Sequence, residues 1–114
     1  MHEMAVTESI LEICLRHANK AQAQQVTHVY LVIGQLSSIV DDSVQFYWEM
    51  LSRDTICSGA VLHFNRIAAR MHCNECDQEF ELENRLSPCP QCGSYNLEVV
   101  AGEEFFIESI EIEK

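Results

Sequence analysis

Four of the six cysteines are spaced for a metal. Cys73-x2-Cys76 is followed, twelve residues on, by Cys89-x2-Cys92. Each CxxC turn can aim two thiolates at one point, and the residues between the pairs can form a hairpin that brings them together. Four thiolates at ~2.3 Å satisfy tetrahedral Zn²⁺ and leave no open position. A closed site of that kind is structural, and it folds a piece too small to fold alone. Thiolate ligation by itself also admits an Fe–S cluster or a bare Fe²⁺. A redox reading of the CxxC pairs lacks the adjacent βαβ pattern of a thioredoxin-like protein. The other two cysteines, Cys14 and Cys57, have no partner nearby in sequence and read most simply as buried free thiols.

The second candidate is the start of the chain, Met1-His2-Glu3. Methionine removal favours a small second residue, so a chain starting Met-His should keep Met1 and its α-amine. That amine and the His2 amide nitrogen close a five-membered ring on a metal. The amide nitrogen and the His2 Nδ1 close a six-membered ring. Such rings suit a planar ion that can displace an amide proton, as Ni²⁺ and Cu²⁺ do and Zn²⁺ rarely does. The Glu3 amide or carboxylate could add a donor. On these residues alone, the plainer reading of His2 is an exposed polar side chain.

The remaining histidines read more plainly. His17 falls on a helix flank and should be at the surface. His28 and His63 lie in strands, as hydrogen-bonded or edge positions. His72 precedes Cys73 and could support the cysteine site from outside or approach another metal from its rim. No Cys/His or Ser/His catalytic pairing is visible, and there is no phosphate loop or glycine-rich cofactor turn.

Charge narrows the partners. The net charge is −11 over 114 residues, which repels nucleic acid and anionic membrane. Between residues 71 and 100, six acidic side chains face Arg85 alone, so this cysteine-rich piece is expected not to bind phosphate backbones. No apolar run is long enough to span a bilayer, and the start lacks the pattern of a signal peptide. The expected compartment is the cytoplasm, where thiols stay reduced.

These residues need elements to hold them. Helical periodicity runs from Met4 to about Ala21, with Met4, Leu11, Leu15 and Ala18 on one stripe and Ile10, Cys14 and Ala21 beside it. Ser9 with Glu12 matches a capping box, and Thr7 is a second choice of cap. The β-branched stretch 26–34 predicts a strand ended by Gly34. A second helix follows over "DDSVQFYWEML", capped by Asp41 or Asp42, with Val44, Tyr47, Trp48 and Leu51 on its apolar stripe. Residues 60–68 predict another strand. After the cysteine-rich piece, residues 103–112 form a third strand, too apolar to dangle. The fold expected is therefore α+β: two helices on a small three-stranded sheet, with an inserted all-β zinc ribbon. Its domains would be 1–68 plus 102–114, and 69–101.

Taken together, "MHE" at the start, "VIGQLS" after the first strand, "GAVLHF" in the second, the paired CxxC motifs and the final "SIEIE" resemble the HypA/HybF hydrogenase maturation proteins. The resemblance spans the whole chain. It implies a metallochaperone, not an enzyme, that carries Ni²⁺ for assembly of [NiFe]-hydrogenase. It implies work with a HypB-type GTPase and docking on the hydrogenase large-subunit precursor, and in some organisms a share in urease maturation. The implied nickel ligands are His2 and Glu3, with the Met1 amine or backbone amides. The implied zinc ligands are Cys73, Cys76, Cys89 and Cys92. Several members carry an acidic residue six positions after the glycine that matches Gly34. Here that position is Val40, and Asp41 and Asp42 follow, so either could replace it as an accessory nickel group. The linkers near Ala69 and Ala101 leave both a monomer and a domain-swapped dimer open. A zinc-ribbon scaffold that never carries nickel, and a metal-dependent or redox enzyme, are the competing classes.

Overall fold

The computed structural model describes residues 3–82 and 87–114. Among them the order is α1 (Glu3–Lys20), β1 (Gln25–Gly34), α2 (Asp41–Leu51), β2 (Val61–Ile67), β3 (Arg70–Cys73), β4 (Glu79–Glu81), β5 (Leu97–Ala101) and β6 (Phe105–Glu113). The strands form two three-stranded sheets, ordered β2-β1-β6 and β4-β3-β5. This is the expected α+β architecture, with an all-β piece inserted between β2 and β6.

The chain divides into two compact units. The first comprises 1–32, 38–65 and 106–114, and the second 33–37 and 66–105. In the first, α1 packs on α2. The core is built from Ile10, Cys14 and Ala18 of α1, Val29 and Leu31 of β1, and Val44 and Trp48 of α2, all buried. The α2 stripe is the one its periodicity predicts. The α1 face is rotated toward the flank of the expected stripe: it runs through Thr7, Ile10, Cys14 and Ala18, whereas Met4 is exposed. Small side chains let a helix approach its neighbours closely. Thr7 tolerates complete burial because its hydroxyl donates to the Glu3 carbonyl at 2.6 Å, four residues back.

Both expected caps also give way. α1 already begins at Glu3, so Ser9 and Glu12 lie inside the helix. The N-cap of α2 is Val40, with no side-chain cap, and Asp41 and Asp42 occupy the first turn. The Val40 amide donates instead to Glu3 Oε2 at 3.3 Å. A carboxylate at that end of α2 complements the helix dipole.

β1 and β2 advance together: His28 meets His63, and further along Gln35 N–H donates to the Ile67 carbonyl at 2.9 Å. They run parallel, joined by the α2 crossover. β6 returns antiparallel to β1, with Gln24 N–H bonded to Glu113 O at one end and Gly34 N–H to Glu104 O at the other, each at 2.7 Å.

The second unit is knotted together at glycines. Leu36 N–H donates to the Gly102 carbonyl at 2.7 Å, and Gln35 Oε1 accepts from the Ala69 amide at 2.8 Å. A Cβ on Gly34 would run into the Gly102 carbonyl and the Glu103 amide, which are backbone atoms. Gly102 has φ +121°, and a Cβ there would lie 2.6 Å from Ala69 Cα. Gly34→Ala is therefore expected to lower stability by ~1–3 kcal/mol, read as a lower urea midpoint; an unchanged midpoint would show that this close approach is dispensable.

Candidate metal centres

The ribbon is built on β3. Its partners are β4, with Met71 opposite Phe80 and His72 opposite Glu79, and β5, with Cys73 opposite Leu97. Ala69, Met71 and Leu82 form its buried apolar cluster, flanked by half-buried Phe80 and Leu97. That is a small core for so long an excursion. Phe80 and Leu82 thus both turn toward this cluster.

At the turns the four cysteines converge. Cys73, Cys76, Cys89 and Cys92 bring their sulfurs within 4.8 Å of one another. Cys73 Sγ lies 3.5 Å from Cys92 Sγ, and Cys76 Sγ 3.6 Å from Cys89 Sγ. A tetrahedral ion with ~2.3 Å bonds to sulfur sets neighbouring sulfurs about 3.8 Å apart, so the cluster fits a structural zinc site. Both knuckles are closed by backbone bonds: Asp77 N–H to Cys73 O and Gly93 N–H to Cys89 O, each 2.8 Å. Gly93 (φ +76°) and Asp77 (φ +60°) supply the left-handed turns this requires.

The thiols cannot all ionise together without a cation between them. The Cys92 amide, with other backbone help, outweighs burial and draws Cys89 down to about 7. The Gln78 amide favours the Cys76 thiolate, but burial and the adjoining sulfurs outweigh it and push that thiol up to about 12. Such a set is completed by a divalent ion and gives up protons on taking it. His72, next to Cys73, directs Nε2 at Asp77 Oδ1, 3.3 Å away, and Nδ1 toward Glu79, 3.9 Å away. Its contacts are thus carboxylates of the ribbon surface.

Cys14 and Cys57 are buried in the first unit, as expected, and stand apart from the cluster. Burial, with Cys57 adding to it, raises Cys14 to about 12, and burial raises Cys57 to about 11. Thiols held that firmly protonated are poor nucleophiles and poor ligands.

At the other candidate centre, Met1 and His2 lie outside the described residues. The structure does place Glu3 against the start of α2, adjoining Asp41 and Asp42, through its bond to Val40. An open cleft of about 450 Å³ beside it is lined by Glu3, Met4, Ala5, Glu8 and Tyr47. The Glu3–Val40 contact joins residues 37 positions apart, and no local pattern announces it. The same holds for the meeting of His28 with His63, which the strand faces allow but do not dictate.

A small α+β protein whose four thiols converge in this way has the form of a metal-binding protein. Over residues 1–112 the chain matches the family model described as hydrogenase/urease nickel incorporation, metallochaperone, HypA. It is 46% identical over 113 residues to the hydrogenase maturation factor HypA of Dehalococcoides mccartyi strain CBDB1, covering 99% of this chain and 95% of that protein. It is 41% identical to the HypA of Geobacter metallireducens, covering 99% and 100%. The solution structure of the Ni metallochaperone HypA from Helicobacter pylori superposes with a TM-score of 0.71 at 26% identity, covering 99% of this chain and 98% of that one. The chain belongs to the HypA family of nickel-incorporation metallochaperones.

The cluster makes a direct prediction. Cobalt loading of the metal-free protein should give thiolate-to-cobalt charge-transfer absorption at one equivalent, and Cys73→Ser should weaken it sharply. Chelation should abolish amide dispersion in residues 66–105 while α1 and α2 persist, since a metal of this type contributes ~10–16 kcal/mol to folding its own module. A ribbon that stays folded after complete metal removal would refute the structural role.

Proposed function

We propose that this chain carries Ni²⁺ at its N-terminus and hands it on by ligand exchange during maturation of [NiFe]-hydrogenase. The ion would be held by the His2 imidazole and amide, the Met1 amine and Glu3, with Asp41 or Asp42 as accessory. One observation carries this reading: the Glu3 carboxylate accepts the Val40 amide at 3.3 Å, so the start of α1 and the acidic first turn of α2 face the same place. A carboxylate can accept an amide on one oxygen and ligate a metal through the other. The positive end of the α2 dipole favours carboxylates there.

The two metals would be kept in different ways. Zn²⁺ at Cys73, Cys76, Cys89 and Cys92 has every position filled by protein and stays as a structural cofactor. Ni²⁺ in a nitrogen- and oxygen-rich site at a chain end exchanges ligands more readily, as cargo must. No catalytic residue is needed for this, and the chain is read as a non-enzyme. The domain assignment that goes with it is a nickel domain of 1–68 plus 102–114 and a ribbon of 69–101, acting as a monomer or a domain-swapped dimer.

The partners that fit are a HypB-type GTPase and the hydrogenase large-subunit precursor, with urease maturation factors as further clients, all met in the cytoplasm. The family description names hydrogenase and urease together. Among the described residues no helix is long and apolar enough to cross a membrane.

The test is a Ni²⁺ titration of zinc-loaded, tag-free protein. His2→Ala is expected to remove the tightest binding phase, weakening it at least about tenfold, in line with loss of a ligand or its support. A residue added before Met1 should weaken the same phase by taking the free amine away. Equal affinity in wild type and His2→Ala would sink the N-terminal site.

A further inference from the structure

The outer face of the β2-β1-β6 sheet carries a side-chain group that the N-terminal nickel reading does not use. His28 of β1 and His63 of β2 meet with Nδ1 and Nε2 2.9 Å apart. Tyr30, two residues along β1, stacks on the His63 ring at 4.5 Å between centroids and 11° between planes. Its hydroxyl donates to Glu111 Oε2 of β6 at 2.6 Å. The cluster thus ties all three strands, and each ring is only half-buried.

We propose that His28 and His63 form a second, open site for a borderline divalent transition cation, with water completing its coordination. The spacing suits it. Two imidazoles on one ion at ~2.0–2.1 Å, at a tetrahedral angle, place their ring centres about 5 Å apart. The observed separation is 5.1 Å. The rings therefore need only pivot, opening the nitrogens by roughly half an ångström from hydrogen-bond to shared-ligand distance. Both nitrogens must then be acceptors, so the donor ring shifts its hydrogen to its other nitrogen.

The surroundings favour a cation. Both imidazoles project from adjacent strands, which hold ligands more rigidly than loops do. Tyr30 fixes the plane of His63 and is itself held by Glu111. That hydrogen bond, with burial and the carboxylate charge adding to it, raises the Tyr30 phenol above its ordinary value, so it stays a donor. The net charge of −11 draws cations to the whole surface. Imidazole is the ligand type shared by Ni²⁺, Cu²⁺, Co²⁺ and Zn²⁺. Among the described residues, the four cysteines are the one group with three or more ligating side chains in reach of each other. The histidine pair is therefore the weaker, more exchangeable site.

Zinc-loaded, full-length His2→Ala protein with labelled histidines, titrated with Ni²⁺, isolates this site from the N-terminus. Paramagnetic broadening of the His28 and His63 ring signals together, ahead of His17, is expected. His28→Gln and, separately, His63→Gln should each reduce the affinity at least tenfold and spare the remaining partner's ring from broadening. Tyr30→Leu, which removes the stack and leaves both ligands, should weaken binding about tenfold without altering the circular dichroism. Absence of broadening at both rings, or unchanged affinity in whichever glutamine variant keeps the wild-type circular dichroism and zinc content, overturns the proposal. Neither result bears on the N-terminal site, which is already disabled in the protein used.

Discussion

Four sulfurs drawn within 4.8 Å of one another are the constraint on which the second half of the chain depends. Sulfurs that close repel once ionised, and the apolar cluster beneath them consists of little more than Ala69, Met71 and Leu82. Hydrophobic burial on that scale does not offset the entropy of ordering some forty residues. A divalent ion changes the balance by turning mutual repulsion into four bonds. The closed geometry follows from that task, since an open position would surrender a bond the module needs. The consequence extends to the other sheet: β6 is reached only after the chain has left β2 and returned. Closing so long an excursion costs entropy, and a metal cross-link between the two knuckles would shorten it.

The return is fixed by backbone fit. Gly34, Gly102 and Ala69 crowd together because none presents a bulky side chain at the point of approach. The hydrogen bonds from Leu36 to Gly102 and from Ala69 to Gln35 then tie segment 33–37 to both ends of the ribbon segment. That is why this short segment groups with residues 66–105, although it lies in sequence between β1 and α2. A boundary drawn from composition follows the cysteines, while the packing follows hydrogen bonds made by Gln35 and Leu36.

The same distinction explains what could be read in advance. Strands and helices were legible because periodicity is local: Val29, Leu31 and Ile33 alternate, and Val44 and Trp48 are four apart. The cysteine cluster was legible because its ligands come in two short motifs. The buried face of α1 is rotated from its apolar stripe because burial there does not follow side-chain size. Met4 is large and exposed, and Thr7 is small and buried with its hydroxyl satisfied inside the helix. The start of α2 departs from its local pattern for a different reason. Asp41 and Asp42 have the right chemistry at the right place, but the Val40 amide finds its acceptor on Glu3, from another helix. The partnership of His28 and His63 is of the same kind. Strand parity puts each on a face, but only the parallel register of β1 and β2 makes them neighbours.

Retention and release are then separated by coordination chemistry. The cysteine cluster would surround an ion with thiolates from two knuckles whose backbones are pinned by hydrogen bonds. For an ion to leave, several bonds must break in a place where few other ligands can enter. The proposed N-terminal site combines donors of Met1 and His2 with Glu3, whose carboxylate also accepts the Val40 amide at the start of α2. An incoming ligand can replace those donors one at a time, and Glu3 retains a partner in the Val40 amide when the metal goes. That second partner matters energetically, because a carboxylate stripped of its ion at a protein surface keeps a hydrogen bond and a favourable dipole instead of losing all support. The emptied state is thereby stabilised, which lowers the cost of handing the ion over.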